Sequence, residues 1–190
     1  MELKYVIKKT DTFKTVDDVL SNEFNISVRL RTKLIKLKSI YKNGIATDTR
    51  ALVVSGDLIS INFDYEEDNS NIVPTGMKID IIYEDEWFIV VNKPPKTAIH
   101  PSILHFDNSL SNGIKFYFDS INLKKKIRPV NRLDFDTSGL VIFAKCEYIH
   151  QEFIRQMQSG IFKKEYLCIV SGIFDEKNGT IDLPIARKER

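Results

Sequence analysis

The chain has 190 residues, 43% of them hydrophobic, and a net charge of only +2, which fits one ordinary domain or two small ones and excludes wholesale disorder. Apolar runs such as Trp87–Val91 and Leu140–Ala144 are far too short to span a bilayer, and Met1-Glu2-Leu3-Lys4 has no charged-then-apolar secretory pattern. Cys146 and Cys168 make neither a metal nor a disulfide pattern and His100, His105 and His150 lack partner ligands at useful spacing, so no metal is expected, both thiols are expected to be structural, and the cytoplasm is the expected location.

Thr15 to Leu20 reads as a short helix opened by Thr15, with Asp17 and Asp18 in its first turn. Ser27 caps a second helix through about Lys38, and Leu30, Leu34 and Leu37 recur at helical spacing as its buried stripe. Residues 29–42 carry six basic residues and no acid. Arg29, Arg31, Lys33, Lys36 and Lys38 are thereby displayed on the other helix faces, where phosphate contacts would give affinity and salt dependence but not base choice. A basic helix is also commonly just a solvated one. Ile40–Lys42 is expected as a strand, Asn43-Gly44 as a tight turn, and Ile45, Ala51–Val54 and Leu58–Phe63 as further short strands, the last with Ile59, Ile61 and Phe63 alternating.

Asp64 to Gly76 is acidic, polar and broken by Pro74 and Gly76, the composition of an interdomain linker. Strands are expected at Ile79–Tyr83 and Trp87–Asn92, the second ended by Lys93-Pro94-Pro95. Lys93 and His100 either contact RNA or orient a nearby loop, or are plain turn residues. A helix is expected over Asp107–Phe118. Lys124-Lys125-Lys126-Ile127-Arg128 is a basic loop in which Lys125 is a candidate phosphate contact.

Residues 131–139, Asn-Arg-Leu-Asp-Phe-Asp-Thr-Ser-Gly, form a polar turn that feeds a strongly apolar segment, Leu140–Ala144. Such a turn holds its side chains at a strand's edge, a good place from which to present a carboxylate. One Asp near an Arg is ordinarily a surface ion pair, and Thr-Ser-Gly ordinarily only a turn; the nine residues together are much harder to meet by chance. A helix follows over Glu147–Gln158, with Tyr148, Phe153, Ile154 and Met157 as its apolar positions. A strand is expected over residues 163–172.

Arg132-Leu133-Asp134-Phe135-Asp136-Thr137-Ser138-Gly139 closely resembles the signature Arg-Leu-Asp-x-x-Thr-Ser-Gly of the RluA-type RNA pseudouridine synthases. The resemblance extends from about Thr15 to Arg187 and includes Tyr83-Glu84-Asp85-Glu86, the following apolar strand, Asn92-Lys93-Pro94 and His100-Pro101. Ser27, Arg29, Lys33-Leu34-Ile35, Asn43-Gly44 and Gly56-Asp57 resemble the alpha-L RNA-binding domain that many RNA-modifying enzymes carry. The implied organisation is α+β: an RNA-binding domain of two helices and a hairpin sheet at 1–65, a linker at 66–78, and the first part of a mixed or antiparallel catalytic domain with flanking helices at 79–190.

The resemblance implies isomerisation of specific uridines in ribosomal or transfer RNA, with Asp134 as the catalytic residue. Arg132 would fill the space of the extracted base, and Tyr166, preceded by Lys164, would stack on it. Thr137 and Ser138 would line the substrate. The reaction is an isomerisation and implies no cofactor; the partner implied is RNA, with no membrane. Two departures stand out. The family usually has His where this chain has Asn131, and it continues for roughly another hundred residues that carry Thr-Gly-Arg-Thr-His-Gln-Ile-Arg, whose arginine pairs with the aspartate. Nothing like that run occurs before Arg190. The chain is therefore expected to be the front of such a synthase, with self-association through an incomplete sheet or a loose end over its last 25 or so residues. The alternative is an RNA-binding fragment without turnover.

Overall fold

The computed structural model describes residues 1–173 and 175–186; Arg187, where the family resemblance was expected to end, lies outside them. The architecture is α+β, with two antiparallel sheets and four α-helices among the described residues. The chain opens on a strand that its sequence pattern did not mark, β1 (Glu2–Val6). Thr15 caps α1 (Val16–Asp18) with a reciprocal capping box to Asp18, and the helix runs on as a π-helical turn over Val19–Glu23. Ser27 caps α2 (Val28–Lys36). Then come β2 (Ile40–Lys42), β3 (Ile45–Ala46) and β4 (Leu58–Asn62). Asn43 and Gly44 both have positive φ, 52° and 79°, the conformation a two-residue hairpin turn demands.

The first sheet has the order β1-β4-β2-β3. Ala51–Val54 does not form a strand; only Leu52 bridges, to Thr15. Ile59, Ile61 and Phe63 are fully buried with Leu20, Leu30, Leu34 and Ile40, each such side chain contributing about 1.5–3 kcal/mol. Leu37, expected in the buried stripe, is instead exposed, because it is the residue on which the helix ends.

The second sheet, order β5-β6-β7, comprises β5 (Ile81–Glu84), β6 (Phe88–Lys93) and β7 (Gly139–Ala144). Its core face pairs Ile89 with Phe143 and Val91 with Val141, packed on Leu110, Ile114 and Phe118 of α3 (Leu110–Ser120). β7 is flanked on its far side by residues 128–131: Val130 N–H donates to Ile142 O at 2.7 Å and Ala144 N–H to Arg128 O at 2.9 Å. α4 (Glu147–Gln158) follows and has the bounds the sequence pattern gives. Residues 163–172 form no strand: they have no pairing partner among the described residues, and Leu167 and Ile169 are fully exposed. Cys168 is exposed as well, contrary to the expectation of two structural thiols, whereas Cys146 is buried.

The expected linker is not a free tether. Glu67 N–H donates to Lys124 O at 2.9 Å, Asn69 Nδ2 to Lys125 O at 2.8 Å and Asn112 Nδ2 to Val73 O at 2.8 Å. The first core also takes in Cys146 from the second half of the chain, and Phe63 stacks on Tyr148 with centroids 5.6 Å apart.

Candidate active site and RNA-facing surface

The period of a strand is two, so Ile89, Val91 and Lys93 share the inward face of β6. Lys93 is paired in register with Gly139, the first residue of β7. A lysine is thus driven into the end of a core at the point where residues 134–138 turn. It is fully buried, and burial pushes its ammonium below the ordinary lysine range, opposed by the nearby carboxylates of Asp136 and Asp134. Its three N–H groups reach three carbonyls, those of Pro94, Thr97 and Phe135, each at 3.0 Å. That satisfies a buried ammonium without a partner carboxylate.

The Phe135 carbonyl lies between Asp134 and Asp136, so Lys93 grips the turn by its backbone and leaves the acids outside. Thr97 N–H donates to the same carbonyl at 3.2 Å, and the His105 ring stacks on Phe135 at 5.0 Å. Thr137 N–H donates to Asp134 O at 3.1 Å and closes the turn. Gly139 has φ of +127°, a conformation that a side chain would strain. The glycine of the signature thus has a backbone reason.

Asp134, Arg132 and Ser138 are exposed and Thr137 half-buried. Neither Asp134 nor Arg132 forms an ion pair among the described residues. A recess of about 800 Å³ lies on one side of the turn; Asp136, Thr137, Ser138 and Tyr166 line it together. Tyr166 therefore reaches the turn although its segment is no strand. A second recess, of about 330 Å³, is lined by His100, His105, Arg132 and Phe135. Burial and the Arg132 charge both push the His100 imidazolium below its ordinary range, so His100 is neutral at pH 7.

Asn131 also acquires a role. Its side-chain amide donates to Leu140 O and accepts from Ile142 N–H, both at 2.9 Å, capping the open edge of β7 beside the turn.

The basic candidates divide. Lys125 is not available to RNA: it is buried, its ammonium spent on the carbonyls of Phe63 and Tyr65, with burial lowering its pKa. Lys33 pairs with Glu67 at 2.7 Å and Glu147 at 3.2 Å, and Arg31 with Asp17 at 2.7 Å. Arg29, Lys36 and Lys38 are exposed, without an ion pair among the described residues. The sequence reading missed Glu67, which a bidentate Arg128 clamp (2.7 Å to each carboxylate oxygen) and Lys33 hold beneath the surface. Burial would raise the Glu67 carboxyl, but the two cations outweigh it and bring it down to about 2. It also missed His105 and Phe135, and left the role of Lys93 open; the inward strand period would have assigned it.

The family profile of RNA pseudouridylate synthases matches residues 87–190, more than half of the chain and the whole of the turn just described. The chain belongs to that family. Among its relatives are the uncharacterized RNA pseudouridine synthase YjbO of Bacillus subtilis, 32% identical over 88% of this chain and 59% of the relative, and the ribosomal large subunit pseudouridine synthase D of Blochmanniella floridana, 33% identical over 81% and 49%. The synthase D of Vibrio cholerae is 29% identical over 98% of this chain and 58% of its own length. The chain thus spans about half the length of the curated relatives it matches. No helix among the described residues of this family member is long and apolar enough to cross a membrane.

Proposed function

We propose that this protein converts specific uridines of ribosomal or transfer RNA to pseudouridine, with Asp134 as the reacting carboxylate. The observation that carries the reading is the turn itself. An exposed Asp134 sits in the family's signature, on a turn that Lys93 grips by the Phe135 carbonyl; Tyr166 and Asp136 line one recess beside that turn and Arg132 another, while Asp134 itself stands outside both. Such a carboxylate is preorganised by its backbone and free at its oxygens.

In the reaction the bond from the ribose C1′ to uracil N1 breaks, the base turns over, and C1′ joins C5. C5 loses its proton and N1 gains one, so the change is an isomerisation. Asp134 either attacks C1′ or removes a proton from C2′. The uridine must leave its stack first. Arg132 occupies the vacated space, Tyr166 stacks on the extracted base, and the Thr137 and Ser138 hydroxyls line its seat. Residues 1–65 serve as the RNA-binding unit, joined through 66–78 to the catalytic part from residue 79, and the work is cytoplasmic, where ribosomal RNA is at hand.

The test is tritium release from uridine labelled at C5. Asp134→Asn keeps the size of the side chain and removes its charge. Turnover should fall by about three orders of magnitude or more, with RNA affinity and folding nearly unchanged, while Asp136→Asn retains most activity. Release at the parental rate from both variants rejects the assignment; loss in both together with RNA binding makes the turn structural. The lack of an ion-pair partner for Asp134 among the described residues favours a second reading for the 190-residue chain by itself, RNA binding without turnover. RNA binding without tritium release by the 190-residue chain supports this second reading, and release by it rejects it.

A further inference from the structure

A groove of about 610 Å³ runs between α2, residues 126–129, α4 and His100. It lies where the two halves of the molecule meet, and its cations come from both. Arg29 and Lys33 are on α2; Lys126 and Arg128 belong to the other half. Glu147 also lines it, and Glu67 lies behind it.

These charges are not equivalent. Lys33 and Arg128 are committed to Glu67 and Glu147 and form a fixed floor. Arg29 and Lys126 are exposed and make no ion pair among the described residues. Four cations face two carboxylates, so the groove keeps an excess of positive charge carried by the two side chains that are free to move. Its wall is uncharged. Burial and the Arg128 charge push His150 below its ordinary range, against the opposing pull of the Pro129 carbonyl and Glu147. His100 is neutral for like reasons.

His100 also belongs to the recess that holds Arg132 and Phe135. The groove and the recess beside the catalytic turn thus adjoin at one shared side chain, His100. We infer that the groove seats a stretch of the RNA substrate's phosphodiester backbone on its way to Asp134, with Arg29 and Lys126 contacting phosphates from opposite halves of the protein. Flexible cations over a rigid floor fit a polyanion that is held by charge. The neutral imidazoles offer faces on which an unstacked base can rest. The partner's identity rests on the uridine-isomerase reading; the seat itself rests on the groove.

The test uses the full-length protein and deproteinised large-subunit ribosomal RNA as the probe. Arg29→Ala, Lys126→Ala and the double variant are compared with Lys9→Ala, an exposed lysine that lines neither recess. Each groove substitution should weaken binding several-fold and reduce the slope of log K against log salt by about one, and the double variant by about two. KM should rise more than kcat falls, and Lys9→Ala should match the parent. A parental slope in the double variant overturns the groove, as does an equal loss in Lys9→Ala. If pseudouridine forms in an Asp134-dependent way while the slope is unmoved, the groove fails and the isomerase reading stands. If the slope falls but no variant or parent releases tritium, the groove stands and the isomerase reading fails.

Discussion

The turn at residues 132–139 and the junction around Glu67 use the same residue types for opposite purposes. In the turn, Asp134, Asp136 and Arg132 face solvent, and the holding is done by backbone: a buried lysine grips the Phe135 carbonyl. In the junction, charges hold each other, and Glu67 sits between Lys33 and Arg128 almost without water. A carboxylate that must react has to be positioned without being neutralised; one that must hold two halves of a fold together is most effective when it is neutralised. Lys125 and Lys126 repeat the contrast within a dipeptide, one buried against carbonyls and its neighbour exposed in the groove.

The contrast breaks most visibly if Glu67 is removed. Glu67→Ala leaves Lys33 and Arg128 with less anion than charge in a partly dry site, and stability should fall by about 3–5 kcal/mol, read as a lower urea midpoint. Replacing an exposed acid of the turn, Asp136→Ala, should shift it by less than about 0.5 kcal/mol. Equal losses would mean that the junction is not dry. Acid sharpens the same point. The Glu67 carboxyl is depressed in the fold to about 2, so its stabilisation is complete above the ordinary carboxylate range near 4.5 and is lost as pH falls toward 2. Asp57, bound by Val54 N–H, Asn43 and Lys42, is likewise depressed to about 2 and titrates in the same window. Glu67→Gln and Asp57→Asn should each flatten part of the acid limb of a stability profile, and together most of it.

Lys93 links the two regions, since it is buried like the junction yet serves the turn. Lys93→Met fills a similar volume, removes the donor to the Pro94 and Thr97 carbonyls and leaves the Phe135 carbonyl only its bond from Thr97 N–H, so stability should drop by about 1–3 kcal/mol. The larger consequence is positional. A turn displaced by an ångström should cost the full-length enzyme about 100-fold in kcat, with KM and RNA affinity changed little. A parallel rise in KM would instead make Lys93 part of the RNA surface, the other role its sequence context allowed.

How legible this was follows the range of the interactions. Ser27 as a cap, Asn43-Gly44 as a turn and Glu147–Gln158 as a helix were all readable, because each depends on residues within a turn or two. The signature turn was readable as a site because its functional residues are contiguous. The fate of each charge was not: Glu67 meets Arg128 across 61 positions, and Lys125 meets Phe63 across 62. Nothing local separates a lysine that will be buried at such a distance from one that will meet solvent. β1 escaped for the same reason, since Glu2–Val6 becomes a strand by pairing with Leu58–Asn62. Tyr166 shows the converse, a residue expected on a strand that reaches the same recess without one.

The smallest expected effect concerns how the turn is joined to its strand. Asn131 stands where the family usually has histidine, and its amide does the work of a further rung on β7, donating to Leu140 O and accepting from Ile142 N–H. Asn131→Ala should cost about 1 kcal/mol, less than the loss of Lys93 because the edge can recruit water. Asn131→Asp keeps the acceptor for Ile142 N–H but turns a carboxylate oxygen on the Leu140 carbonyl, so it should cost at least as much as alanine. The effect should be local: amide exchange at Ile142 should accelerate in the alanine variant and be nearly preserved in the aspartate one, since only the acceptor serves that N–H. Unchanged protection at Ile142 in the alanine variant would mean that the backbone bonds from Val130 and Ala144 hold this edge alone. Faster exchange there, with Phe143 unaffected, would show that the site is tied to its sheet by one side chain at the point where the signature begins.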